Sequence, residues 1–163
     1  VYMNQQYTNE LTPEIKAQQA KSPFTAEEIA AMDDGARAII VEGRELERKH
    51  PVNAIWRIAT EGSTTRRGGI VAPVERESKL LLDNGRYASI ATAGDNVTYP
   101  DGSTAAIVTS AGKASMWKGV GVALVGSVLD NGDEIISTPQ GHTYLVTREG
   151  IVSGADFLTV TGA

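Results

Sequence analysis

One short phrase, written three times, constrains this chain more than any other feature. Ile58-Ala59-Thr60-Glu61-Gly62-Ser63, Ile90-Ala91-Thr92-Ala93-Gly94-Asp95 and Val122-Ala123-Leu124-Val125-Gly126-Ser127 begin at positions 58, 90 and 122, so the copies are evenly spaced. Every copy sets a β-branched residue before an alanine, then a glycine, then a small side chain with an oxygen acceptor. A fixed interval of this size marks a supersecondary unit that cannot bury its apolar face alone and must pack against its siblings. The repeat predicts three equivalent units about an axis, with Gly62, Ser63, Gly94, Asp95, Gly126 and Ser127 as the repeated turn positions.

A second signature falls between the copies. A Gly-rich turn leads into a β-branched pair at Ile70-Val71, Ile107-Val108 and Ile135-Ile136, and here the second interval is shorter than the first. The order of elements persists while the loop lengths differ. Leu80-Leu81-Leu82, Asp83-Asn84-Gly85 and Arg86-Tyr87-Ala88-Ser89-Ile90 read as a hairpin, in which Asn-Gly supplies the positive φ of a tight primed turn. Asp130-Asn131-Gly132 and Tyr99-Pro100-Asp101-Gly102 are further turns, and Pro139-Gln140-Gly141 precedes a last strand over 142–146. The region after Pro51 is therefore nearly all β.

Before Pro51 the pattern is different. Residues 1–22 are polar and predict an extended or partly ordered arm. Thr25 and Glu28 form a capping-box pair, and Ile29, Met32, Ala36, Ile39, Ile40 and Leu46 follow at helical spacing. Pro51 disfavours the α conformation at His50 and ends the helix there. The expected organisation is an arm and amphipathic helix over 1–52, a β-repeat domain over 53–150 and a tail over 151–163.

Composition narrows the function classes. The chain has 163 residues, no cysteine and a net charge of −5. Disulfides and thiolate metal sites are thereby excluded, and an acidic chain lacks the basic face that a general nucleic-acid binder needs. No apolar run is long enough for a membrane span and no export signal is visible, so the sequence predicts folding in the cytoplasm without stable membrane anchoring. No Gly-x-Ser-x-Gly elbow, dinucleotide fingerprint or phosphate-binding loop is present, which predicts a non-enzymatic protein. Asp83, Asp95, Asp101, Asp130 and Asp133 are expected to serve as turn residues, and Arg66-Arg67 as a solvated turn.

The thrice-written Ala-x-x-Gly-[Asp/Ser] phrase, with its following turn and β-branched pair, resembles the PAAR-repeat proteins. The resemblance covers about residues 54–150 and is strongest over Asn84–Asp95; Ser63 and Ser127 stand where that family favours Asp. It implies a mainly β, small conical domain of three pseudo-repeats. The implied function is a spike tip that caps and sharpens a trimeric β-helical spike of a type VI secretion system or contractile phage tail for envelope puncture. The implied partner is the spike trimer, with one copy of this chain per trimer, and effector cargo is a further possible partner. The protein would be made in the bacterial cytoplasm and delivered outward.

The family's structural zinc is where the chain departs. Thr64, Thr65, Tyr99, Leu129 and Asp130 follow the three glycine motifs, and none of these sets matches a His and Cys ligand group. His142 is the one weak candidate ligand, so the chain is predicted to bind no zinc and to hold its tip by packing of Tyr99, Met116, Trp117 and Tyr144. The alternative function is an effector adaptor or metal-free binding module, whose helix recruits a partner through Ile29, Met32 and Ile39.

Overall fold

A computed structural model of the chain describes residues 5–159. The elements in order are α1 (Pro13–Ala20), α2 (Ala26–Ala30), α3 (Asp34–Lys49), β1 (Val52–Arg57), β2 (Thr64–Thr65), β3 (Ile70–Val71), β4 (Lys79–Leu81), β5 (Tyr87–Ser89), β6 (Asn96–Thr98), β7 (Thr104–Ala106), β8 (Met116–Trp117), β9 (Val120–Gly121), β10 (Ile135–Ser137) and β11 (Tyr144–Arg148). The fold is mainly β. Two compact units divide the described residues: one holds 5–9, 56–145 and 153–159, and the other holds 10–55 and 146–152.

The helical unit is built by local signals. Thr12 caps α1, with Pro13 in the first turn where a missing N–H is harmless; the polar arm thus contains a helix that its composition did not announce. The capping box at α2 is present in both directions, Thr25 Oγ1 accepting from Glu28 N at 3.1 Å and Glu28 Oε1 from Thr25 N at 3.3 Å. The single helix expected from Thr25 to His50 is in fact two. Asp33 accepts from Ala36 N at 2.7 Å and starts α3, while the Arg37 guanidinium donates to the carbonyls of Ile29, Ala30 and Met32. The carbonyls of Ala30 and Met32 would otherwise be left open where α2 ends, whereas that of Ile29 also accepts from Met32 N at 3.2 Å. His50 is the C-cap of α3, as Pro51 requires.

The β unit is organised by three hairpins. β2 and β3, β6 and β7, and the segment 127–130 with β10 each form one. β10-β2-β3-β6-β7 make a continuous antiparallel sheet, and bridges from Ile107 to Leu129 and from Val128 to Glu134 carry the third hairpin onto β7. The six segments thus close on themselves. Inside lie Ala59, Val71, Ala91, Val97, Ala105, Ile107, Ala123, Val125, Leu129 and Ile135, with Tyr99 packed against them. A second cluster of Ile58, Ala111, Val122 and Leu124 is covered by Trp56, Leu80, Ile90, Trp117, Leu145, Phe157 and Leu158.

Three outer pairs precede the repeated phrases: β1 with β11, β4 with β5, and β8 with β9. Their junctions match, since Ile58, Ile90 and Val122 donate their N–H to Thr143, Ser78 and Ser115. The last strand therefore pairs with the first. Residues 5–9 also belong to this unit: Tyr7 bridges Thr138, and Asn9 donates to Val125 O at 2.8 Å and accepts from Arg57 N at 2.8 Å. Arg57 lies under Tyr7 and Tyr144 and donates to Thr8 O and Gly141 O.

Turn chemistry differs from the expectation in one respect. At Asn84-Gly85 only the glycine has positive φ, and Gly85 N donates to Leu82 O while Leu82 N donates to Arg86 O. That is a type I turn closed by a left-handed glycine. Gly68, Gly102 and Gly132 repeat it in the three hairpins. The two-residue primed turn is at Lys118-Gly119, between paired Trp117 and Val120, where φ is 48° and 80°.

Candidate functional site

The repeated phrases meet at the centre of the β unit. Ala91 N donates to Ala59 O at 2.9 Å, Ala123 N to Ala91 O at 2.8 Å, and Ala59 N to Ala123 O at 2.9 Å. Three fully buried alanines thereby form a closed, one-way ring of main-chain hydrogen bonds. Only a very small side chain fits where three strands converge so closely, which explains alanine in all three copies. Bridges between residues 58 and 124, 60 and 90, and 92 and 122 surround the ring.

The glycines and acceptors that follow are equivalent in detail. Gly62, Gly94 and Gly126 have φ of 87°, 92° and 110°, a region that glycine enters without a Cβ penalty. Each donates its N–H to the closing residue of its own hairpin, Val71, Ile107 or Ile135. The acceptors fold back onto the amide three residues earlier: Ser63 Oγ to Thr60 N at 3.0 Å, Asp95 Oδ2 to Thr92 N at 2.9 Å, and Ser127 Oγ to Leu124 N at 2.9 Å. A hydroxyl does this as well as a carboxylate. Asp95 has a second task, because Arg76 forms a two-pronged ion pair with it at 2.7 and 3.1 Å, donates to Ile90 O and lies 5.0 Å from the Trp117 ring centre. Serine in that copy would leave the largely buried Arg76 without its ion pair.

The unequal spacing of the β-branched pairs now has a cause. From glycine to closing residue the first and third hairpins are of one length, 62–71 and 126–135, and the second, 94–107, is longer by four residues. The extra residues lengthen each arm of the middle hairpin by two. The residue equivalent to Ile107 and Ile135 is thus Val71 rather than Ile70, which is exposed.

The three hairpin turns converge on Asp133, which is 2% exposed. Its carboxylate accepts from Tyr99 Oη at 2.6 Å, Arg67 N at 3.1 Å and Glu134 N at 2.8 Å, and from the Thr65 hydroxyl. Burial pushes this carboxyl up, but the hydrogen bonds from Thr65, Tyr99 and the two amides together hold it below the ordinary carboxylate range. Burial and the bond to Asp133 push the Tyr99 phenol up. Asn131 Nδ2 donates to the same phenol at 3.0 Å, and Arg67 reaches Asn131 O at 2.9 Å. Groups from all three turns are therefore tied to a single carboxylate.

The remaining expectations fall in different places. Met116 is exposed, Trp117 packs on the second cluster and Tyr144 lies by Arg57, so of the four proposed packing residues Tyr99 alone is at the turns. Polar bonds, rather than aromatic packing, hold the turns together. Asp101 and Asp130 accept from the amides of Ser103 and Ala106, and Asp83 accepts from Tyr7 Oη. Arg66 is ion-paired with Glu134 at 2.6 Å. His142 lies away from the turns: Nε2 bonds Leu81 O at 2.8 Å and Nδ1 bonds Thr143 Oγ1 at 2.7 Å. Among the described residues no group of three or more His, Asp or Glu is placed to hold a metal ion. Ile29 on α2 and Met32 after it are half-buried, whereas Ile39 on α3 is exposed. No known family, characterised protein or solved structure matches this chain.

Proposed function

We propose that this protein is a non-enzymatic, PAAR-like spike tip, a conical domain of three pseudo-repeats that caps a trimeric β-helical spike in a contractile injection machine. The observation that carries the reading is the closed ring of Ala59, Ala91 and Ala123, through which one chain supplies three equivalent main-chain units about one axis. A homotrimer ends in three identical strands, and a single chain with threefold internal equivalence offers each of them the same surface. The outer hairpins support this: Leu81, Tyr87, Met116 and Val120 are apolar, exposed and set on short strands. Short strand edges with flanking apolar groups suit sheet extension by main-chain hydrogen bonds, which needs no deep pocket. The bonded turns around Asp133 supply rigidity at the other end of the hairpins.

Stoichiometry tests the proposal. The full-length protein is mixed with candidate trimeric β-helical spike proteins, and complexes are weighed by native mass spectrometry. The expected mass is one copy of this chain per spike trimer. Three copies per trimer, or a stable homotrimer of this chain alone, would overturn it.

A further inference from the structure

The three repeats leave three equivalent main-chain edges, and two of these are occupied by segments from outside the repeats. Each hairpin closes at Val71, Ile107 or Ile135, which accept from Gly62, Gly94 and Gly126. Each then runs through a short link to Ser78, Ser115 or Thr143, which accept from Ile90, Val122 and Ile58. Counted from the closing residue, Val74, Ser110 and Thr138 hold the same place in the three links. Thr138 exchanges both main-chain bonds with Tyr7, at 2.8 and 3.0 Å, and Ser110 O accepts from Leu158 N at 2.7 Å. One occupant comes from before the helices and the other from after the last strand.

The third edge is open. Among the described residues neither the N–H nor the C=O of Val74 makes a hydrogen bond. Val74 is half-buried, and the link carries no helix or turn from Ala72 to Arg76. Pro73 has no N–H to give, so Val74 is the residue that can pair in both directions. A shallow depression of about 450 Å³ lies alongside, lined by Glu75, Arg76, Glu77 and Lys79. Its two carboxylates balance its two cations, with Glu75 bonded to Lys79 at 3.2 Å and Arg76 held by Asp95. The depression therefore favours neither charge.

The links differ in what fills the space beside the edge. Tyr7 lays its ring where Gly141 has no side chain, and a Cβ there would meet that ring at 2.7 Å. Counted back from the accepting residues Thr143 and Ser78, the place of Gly141 is held in the first link by Arg76. The Arg76 guanidinium is bonded to Asp95 and Ile90 O and lies against Trp117. A large side chain opposite Val74 would therefore meet Arg76. We infer that the Val74 edge takes an extended, uncharged segment of a partner protein, paired to Val74 through main-chain N–H and C=O, with alanine or serine in the place that Tyr7 fills at Thr138. The same clash rules out the arm of a second copy, because that arm brings tyrosine. This edge is distinct from the outer hairpin strands, so the inference stands or falls apart from the spike-tip reading.

The full-length protein is titrated with three blocked peptides and followed by amide NMR. The peptides are Gln-Gln-Ala-Thr-Asn, the same peptide N-methylated at its alanine, and Gln-Gln-Tyr-Thr-Asn, which matches residues 5–9. The alanine peptide should shift the Val74 amide saturably, with a dissociation constant of about 1 mM or tighter, and slow its hydrogen exchange by about tenfold or more. The N-methylated and tyrosine peptides should leave Val74 unmoved. Val74→Pro, which removes an N–H that bonds nothing within the fold, should abolish binding with little change in melting temperature; if that variant unfolds, the methylated peptide still tests the pairing. A Val74 amide that stays in place with the alanine peptide, or that responds equally to the tyrosine or methylated peptide, would overturn the inference. So would shifts confined to Thr138, where the peptide would have displaced residues 5–9.

Discussion

Replacing Asp133 removes one acceptor that serves donors from all three hairpin turns. In Asp133→Ala the Thr65 hydroxyl can rotate and Tyr99 keeps the Asn131 amide, but the N–H groups of Arg67 and Glu134 lose their bonds to this carboxylate. A hydrogen bond to a charged group is worth about 1.5–3 kcal/mol, and because both amides are only part-buried and can turn to water, the variant should lose about 3 kcal/mol with the phenol bond included. Asp133→Asn keeps the shape and one good acceptor and should lose about 2 kcal/mol. Urea unfolding followed by tryptophan fluorescence at neutral pH measures both. The folded carboxyl lies below its ordinary value, so its stabilisation is complete above the unfolded value of about 4 and is lost as pH falls through the lower folded value. The gap between wild type and Asp133→Asn should accordingly narrow in acid. An Asp133→Ala loss under about 1 kcal/mol, or a gap that is the same at about pH 3 and about pH 7, would refute the argument that this carboxylate binds the turns together.

Alanine at Gly62 or Gly94 should cost about 1 kcal/mol each, and at Gly126 about 2, because a Cβ there meets the Trp56 ring at 3.2 Å in addition to the positive φ. Denaturation midpoints that fail to move at two of the three would show the repeated turns to be dispensable. Lys118→Asn should stabilise by about 0.5–1 kcal/mol, since asparagine suits the left-handed first position of a primed turn better than lysine; a loss of similar size would show that the Lys118 ammonium, 4.8 Å from the Trp117 ring centre, outweighs the turn. A chelator should leave the melting temperature unchanged, while His142→Ala loses about 1 kcal/mol with the bond to Leu81 O. Elemental analysis finding near one metal per chain would contradict that pairing.

The alanine, glycine and acceptor positions could be read in the sequence because they depend on backbone conformation and close approach, which only a few residue types satisfy. Thr25, Glu28 and Pro51 were legible for the same local reason. The break at Met32-Asp33 was not, because it depends on the long Arg37 side chain reaching back to carbonyls of the preceding helix. Asp133 looked like any turn aspartate; its neighbours Thr65 and Tyr99 come from the two other hairpins, far earlier in the chain. Arg76 sits in a polar link with no periodicity, and its partner became visible only when the chain brought Asp95 beside it. Gln140, buried and bonded to Ile58 O, Thr143 O and the amides of His142 and Thr143, is likewise defined by the main chain folded around it rather than by local pattern.

The alanine ring also sets an order of events during synthesis. Each alanine gives a hydrogen bond to one neighbour and takes one from the other, so a nascent chain holding two of the three has an open donor and an open acceptor at its centre. The ring closes only after Ala123 has left the ribosome, and the pairing of the last strand with the first waits for Arg148. At roughly 5–20 residues per second, the first phrase spends several seconds without its partners. Folding of the β unit is then late and all at once, dominated by contacts distant in sequence, and a chain cut short inside the third phrase has no smaller closed form to settle into.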